Sequence, residues 1–287
     1  MKHAILICAH GDMTITKNTI SILDDDEIDF YVHVDAKSNC DPYVELAGIS
    51  KYSKIVIVPR KSVWWGTYSL IECEMELLKA SYLQRYDYYH LISGQDLPIK
   101  PKNVFLQFFE STKEGTEFVN FWGSNGQYWN RINYKYPFLK LYHRASCEFL
   151  NNVEKLILTR ILRKRDNKYK YFHDKVLYAG SEWFDITHQL VLRILEQAEW
   201  IEAVFKDGYT VDELFVQTVL GNALDLSRNI SNVETRLIDF ERGKPYVFRY
   251  ADLDEILSSR ALFCRKFDVT VDGDIVREIT NRMMSIT

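Results

Sequence analysis

The sequence predicts an α/β protein with a central, mostly parallel sheet flanked by crossover helices, and three observations carry that expectation. Apolar, β-branched and aromatic runs of strand length recur through the first hundred residues, at His3–Ala9, Asp29–Val34, Ile55–Val58 and Tyr86–Ile92. Stretches with helical apolar spacing, about Thr14–Leu23 and Tyr68–Leu83, fall between them, and strands that alternate with helices pair in parallel. The strand-like runs also end in polar residues, where open α/β sheets bind ligands beyond the strand tips. A length of 287 residues with 47% hydrophobic content is enough for one large domain of this class.

Taken in order, His3–Ala9 is a continuous apolar run after a single Lys. It reads as a strand, and it is too short for a signal peptide or anchor. No later stretch approaches the roughly 18 continuous apolar residues of a membrane span, so the chain is expected to be soluble and cytoplasmic. Asp29–Val34 ends in Asp35-Ala36-Lys37-Ser38. Tyr86–Ile92 runs into Ser93-Gly94-Gln95-Asp96, after which Pro98 stops the ladder. Thr116–Trp122 is a further strand candidate; Val191–Phe205 and Val211–Asn222 are helix candidates. Residues 151–175 carry Lys155, Arg160, Arg163, Lys164, Arg165, Lys168, Lys170 and Lys175 interleaved with Leu156, Ile157, Leu158, Ile161 and Leu162. That pattern predicts a basic amphipathic helix, packed on the body with a solvated face or laid on an anionic membrane surface.

Composition narrows the function. Eighteen Tyr, 16 Phe and 6 Trp suit a protein that stacks on sugars or nucleobases, though a Tyr-rich proteome gives the same count. A net charge of −4 argues against a general nucleic-acid binder. Cys8, Cys40, Cys73, Cys147 and Cys264 are odd in number and form no C-x-x-C pair, which reads as reduced thiols. Neither a dinucleotide fingerprint nor a P-loop follows any strand.

Several constellations carry chemistry. Adjacent parallel strands would gather His10, Asp12, Asp35 and Asp96 into a polar rim suited to a ribose and base, although a strand-end Asp is often only a helix cap. Trp64 and Trp65 precede Gly66, and one of the pair is expected to line the cleft. Asp212-Glu213 lies at a predicted helix start, where acids suit the helix dipole. Alternatively, Glu213 is a general base that takes the proton of a sugar hydroxyl. Arg265 and Lys266 stand between Phe263 and Phe267, whose i, i+4 spacing would anchor the segment while the cations meet a diphosphate.

In these segments the chain resembles the core-2/I-branching β-1,6-N-acetylglucosaminyltransferases, glycosyltransferase family 14, which also holds the peptide xylosyltransferases. The resemblance rests on Ala9-His10, His33-Val34-Asp35, Trp65-Gly66-x-Tyr68-Ser69-Leu70, Ser93–Lys100, Gly180-Ser181-x-Trp183-Phe184, Asp212-Glu213-x-Phe215-x-Gln217-Thr218 and Phe263-x-Arg265-Lys266-Phe267, in family order. It implies a single GT-A-type domain over 1–287, with a UDP-binding half to about residue 110 and an acceptor and catalytic half after it. It further implies inverting transfer of a sugar, GlcNAc first among the candidates, from a UDP-α-sugar to a glycan hydroxyl. Glu213 would be the base, Lys266 and Arg265 the diphosphate contacts, and His10, Asp35 and Asp96 the nucleotide contacts. Trp65, Glu117, Glu182 and Trp183 would border the sugar or acceptor.

No divalent metal or other cofactor is expected. The Asp-x-Asp patterns at Asp24–Asp26, Asp252–Asp254 and Asp272–Asp274 miss the ends of the central strands. The family's second diphosphate-binding Arg falls near Gly243, so Arg236, Arg242, Lys244 or Arg265 must replace it, Arg265 first. Without the animal members' anchor and disulfides, the chain fits a bacterial version making surface polysaccharide or glycoconjugates on a lipid-linked acceptor, at the inner face of the membrane. UDP-xylose, UDP-galactose or UDP-glucuronate as donor, or a non-catalytic nucleotide-sugar or glycan-binding module, are the alternatives.

Overall fold

The computed structural model describes residues 1–124, 126–141, 153, 154 and 156–285. Its main sheet holds six strands in the order β3-β2-β1-β4-β9-β6. β1 is His3–Ala9, β2 Ile28–Val34, β3 Ile55–Ile57 and β4 Tyr88–Ser93, all mutually parallel. The short β5 (Leu97–Pro98) leaves this sheet, and β6 is Phe118–Val119. β7 (Tyr134–Lys135) and β8 (Lys164–Arg165) form an outlying antiparallel pair. β9 (Phe184–Thr187) returns antiparallel to both β4 and β6. β10 (Arg236–Ile238) and β11 (Phe263–Arg265) make a second sheet with β5. The expected fold class, an α/β protein with a mostly parallel central sheet flanked by helices, is what the structure shows.

The apolar run of β1 is continuous because both of its faces are covered. Ala4 and Leu6 join Tyr31, Tyr89 and Leu91 in one core, with the helices Ser69–Ser81, His188–Glu196, Ala198–Phe205 and Phe215–Gly221. Ile5 and Ile7 point the other way, to Phe30, Val32 and Ile92 and the helices Thr14–Leu23, Lys102–Glu110 and Gly273–Ser285. The period-two alternation of a strand thus divides one apolar run between two cores.

A buried polar chain ties the two sheets together. His90 on β4 binds Asp185 on β9 (Nδ1 to Oδ1, 2.7 Å), and Asp185 in turn pairs with Arg236 on β10. Arg236 also donates to the backbone carbonyls of Leu91 and Phe184, at 3.0 Å each.

Four expectations are corrected. The 151–175 segment is not one helix. Among the described residues Val153, Glu154 and Leu156 are helical and run into the helical stretch Ile157–Ile161, followed by β8 and a short turn at Tyr169–Tyr171, because β8 is drawn into pairing with β7; Lys155 lies outside the described residues. The strand predicted over Thr116–Trp122 shrinks to β6, since its backbone changes partners. Glu117 bonds to Asn229 and Ser231, and Trp122 to Ala179. Val191–Phe205 is two helices divided at Gln197. The helix predicted from Val211 begins at Phe215, which leaves Glu213 in the turn before it.

Candidate active site

Register places the strand tips together. Ala9 pairs with Val34 and Cys8 with Ser93, so β1, β2 and β4 end side by side and deliver His10, Asp35 and the Ser93–Asp96 turn to one rim. The 93–96 turn folds back against β1, with the Gly94 N–H donating to the Cys8 carbonyl at 2.9 Å. Residue 94 must be glycine here: a Cβ would stand 2.9 Å from Ala9 Cβ and 3.0 Å from its Cα. Asp35 Oδ1 accepts from the Lys37 amide at 2.9 Å and Oδ2 pairs with Lys37 Nζ at 3.0 Å. Arg60 clamps the same loop through the carbonyls of Val34, Asp35, Ser38 and Cys40. His10 is exposed on the rim, and partial desolvation followed by the nearby Lys266 charge holds its imidazole below its ordinary pKa. A neutral imidazole accepts as well as donates a hydrogen bond.

The cations reach this rim through the second sheet. β11 lies antiparallel to β5, pairing Cys264 with Leu97, and the Phe267 amide donates to the Gln95 carbonyl at 2.9 Å. Arg265 and Lys266 are therefore brought beside the 93–96 turn. Phe263 and Phe267 are fully buried, as expected, but in extended backbone rather than at helical spacing. Arg265 stacks 4.2 Å over the Trp183 ring. Its Nη1 is buried without a hydrogen bond among the described residues, the nearest acid being Asp96 Oδ1 at 3.6 Å. Burial, then the adjacent Arg265, lowers the Lys266 pKa. Two partly buried cations side by side repel, and Asp96 beside Arg265 offsets part of that repulsion.

Of the alternatives to Arg265, Arg236 is spent on Asp185 and buried carbonyls, and Arg242 on Asp239, Asp252 and Glu255. Lys244 is exposed in the loop before Pro245.

Across the cleft, Glu213 Oε2 pairs with Arg131 Nη1 at 2.6 Å, and the same Nη1 donates to the Thr210 carbonyl at 3.1 Å. Oε1 makes no hydrogen bond among the described residues, and the side chain is 28% exposed. Arg131 is the main functional residue that sequence reasoning missed, because an Arg in a short Trp129–Ile132 helix carries no pattern. Thr210 sits at φ +46°, with its amide on the Gly66 carbonyl at 2.8 Å, which fixes the turn that presents Glu213.

The backbone of Glu213 is held by Gly180, whose N–H donates to the Glu213 carbonyl at 3.0 Å. Gln217 ties the same loop down by donating to the Ser181 carbonyl at 2.6 Å. A Cβ on Gly180 would fall 1.7 Å from the Asn120 carbonyl oxygen. We expect Gly180→Ala to cost about 3 kcal/mol by overpacking and to reduce turnover by shifting Glu213. Urea unfolding checks the first effect, and an unchanged midpoint would contradict this packing.

Glu182 and Asp212 are neighbouring carboxyl groups that act on each other's protonation. Burial, and then the neighbouring Glu182 and Glu213, pushes Asp212 well above the carboxylate range. Burial raises Glu182 to about 7, Arg265 opposes that shift, and Glu213 adds to it. Glu182 is thus in electrostatic reach of both Arg265 and Glu213, which joins the cation and carboxylate sides in one site.

Trp65 is 49% exposed at the cleft mouth, edge-on to Tyr209, whereas Trp64 lies between Lys37 and Lys140 at 4.6 and 4.7 Å. Asp12 caps the Thr14 amide at 2.8 Å. Asp96 is turned inward rather than lining the rim: its carboxylate accepts from the Ser93 amide and hydroxyl, both at 2.7 Å, and so shapes the turn. Glu117 is corrected outright. It is fully buried on Thr187, which pairs with Tyr88 at the opposite end of β4, and so lies away from the cleft. Burial raises its pKa to about 7, and the Thr187 bonds temper the rise.

Asp24 is consumed by the amides of Lys51, Tyr52 and Ser53, and Asp272 by those of Tyr250, Asp274 and Ile275. Among the described residues no group of three or more His, Cys, Asp or Glu is placed to hold a metal ion. Cys8, Cys40, Cys73 and Cys264 are free thiols, while Cys147 lies outside the described residues.

Arg265 and the partly exposed Glu213 carboxylate thus both act on Glu182 close to the strand tips. The family model of the Core-2/I-Branching enzyme matches residues 4–257, and the chain belongs to that family. Xylosyltransferase 2 of Bos taurus is 22% identical over 278 residues, which are 87% of this chain and 30% of that protein. The chain thus spans less than a third of that relative's length. Among solved structures, apo mouse xyloside xylosyltransferase 1 aligns at TM-score 0.39 and 8% identity, covering 92% of this chain and 97% of that one. A putative glucose-1-phosphate thymidylyltransferase from Bacillus anthracis, in complex with a sucrose, aligns at TM-score 0.28 and 13% identity over 67% and 75% of the two chains. No helix among the described residues is long and apolar enough to cross a membrane.

Proposed function

We propose that the protein is an inverting, metal-independent glycosyltransferase. It moves GlcNAc from UDP-α-GlcNAc to a glycan hydroxyl in β-1,6 linkage, in the synthesis of a surface polysaccharide or glycoconjugate. The observation that carries this reading is the adjacent pair Arg265 and Lys266 beside the 93–96 turn, with Arg265 in electrostatic reach of the same Glu182 on which Glu213 acts.

In the proposed reaction His10 and the Asp35 loop hold the uridine, and Trp65 and Trp183 border the sugar and acceptor. Glu213 Oε1 takes the proton of the acceptor hydroxyl. The hydroxyl oxygen bonds to the anomeric carbon from the face opposite UDP, and the bond from that carbon to the β-phosphate oxygen breaks with its electron pair. Arg265 and Lys266 are placed to meet that charge, the role a divalent ion plays elsewhere. Arg131 holds the carboxylate in position.

The name of the bovine relative favours one second reading, UDP-xylose as donor on the same site. Thermal unfolding with UDP, UDP-GlcNAc and UDP-xylose, in EDTA and then in Mn²⁺, separates these readings. We expect UDP-GlcNAc to raise the melting temperature in EDTA, by an amount that grows with the logarithm of ligand concentration. Stabilisation that requires Mn²⁺ would overturn the metal-independent mechanism, and a response to UDP-xylose alone would reassign the donor.

A further inference from the structure

The stretch that sequence patterning assigns to one basic helix is helical only as far as Ile161 and leaves an unusual surface. Leu156, Ile157, Ile161 and Leu162 are between 38% and 67% exposed, with only Leu158 of this run buried. Arg160, Lys164 and Arg165 are exposed among them. Within the same stretch, Asp166 is paired with Lys168 at 3.2 Å. A chain of net charge −4 thus concentrates cations and bare aliphatic side chains on one short segment. Soluble surfaces seldom gather large aliphatics in this way unless something covers them.

The segment is mounted on the acceptor side of the cleft. β8 pairs with β7, and the Asp166 amide donates to the Asn133 carbonyl at 2.8 Å. Arg163 stacks 3.7 Å over Tyr134. Asn133 directly follows the Trp129–Ile132 helix whose Arg131 holds Glu213. Tyr136 packs on Tyr209, and Tyr209 on Trp65.

We propose that residues 156–165 dock the protein on an anionic lipid bilayer, the aliphatic side chains entering the interface and the cations meeting the headgroups. Charge complementarity selects this occupant: acidic headgroups pair with Arg160, Lys164 and Arg165 while the acyl boundary takes the aliphatics. Docking here turns the Glu213 side of the cleft toward the membrane, so the acceptor is a glycan on a lipid anchor. That last step rests on the transferase reading; the docking does not.

Vesicle co-sedimentation tests it. The full chain is expected to bind phosphatidylcholine vesicles containing phosphatidylglycerol, to bind pure phosphatidylcholine far less, and to release as salt is raised. Leu156→Glu/Ile161→Glu and Arg160→Glu/Lys164→Glu are each expected to lower partitioning roughly ten-fold or more. Both should keep wild-type melting temperatures and wild-type turnover on a soluble acceptor. Absence of binding to phosphatidylglycerol vesicles, or binding that both variants retain, overturns the proposal. So does a dimer in gel filtration that these substitutions dissolve, because the patch would then serve a second copy of the chain. Docking that persists in a protein without turnover on any acceptor supports the surface and removes the transferase reading instead.

Discussion

Glu213→Gln is expected to lower turnover by roughly 10²–10⁴-fold while leaving UDP binding and melting temperature unchanged. The substitution is nearly isosteric. The amide oxygen of the new side chain can still accept from Arg131, and the backbone carbonyl at this position still receives the Gly180 amide. What disappears is an atom able to take a proton from the acceptor hydroxyl. In the proposed mode His10, the Asp35 loop, Arg265 and Lys266 would hold the nucleotide, so its affinity should not move. Initial-rate kinetics with a UDP binding isotherm separate the two effects. Near-normal turnover would remove Glu213 as the base, and lost UDP binding would mean that the substitution disturbs the cleft as a whole.

Lys266→Ala has the second largest expected effect, this time on both binding and turnover. A charge-assisted contact to phosphate contributes about 1.5–3 kcal/mol, or roughly 10–100-fold in affinity. Turnover should fall further, because charge on the diphosphate grows as the glycosidic bond breaks. Lys266 is a cleaner probe than Arg265, which also stacks on Trp183 and neighbours Asp96. Uridine supplies the internal control. Its binding should survive in Lys266→Ala, and equal losses for UDP and uridine would contradict a diphosphate contact.

Much of this arrangement was legible in the sequence because it depends on local patterns. The run of β1 and the polar residues after β1, β2 and β4 mark a ligand-binding edge from their order alone. The Phe-x-Arg-Lys-Phe segment likewise announces buried aromatics with cations between them, although the backbone is a strand and not a helix. What the sequence could not carry was long-range pairing. That β11 would lie on β5, and so bring Arg265 to Asp96, follows from strands far apart in the chain. The same holds for Arg131 on Glu213. Glu117 was misplaced for the converse reason: an acid beside a strand looks like a rim residue until β9 is seen to run antiparallel and carry its partner Thr187 to the far end. The basic segment is helical only as far as Ile161, because the pairing of β8 with β7, which its periodicity does not carry, decides the rest of its course.

The most direct test of the central claim is proton NMR of the product formed from a UDP-α-sugar and an oligosaccharide acceptor in EDTA. A Glu213-assisted single displacement predicts one UDP released per glycoside formed, with the new anomeric proton showing the large coupling of a β linkage. An α-configured product, or no product until Mn²⁺ is added, would contradict it.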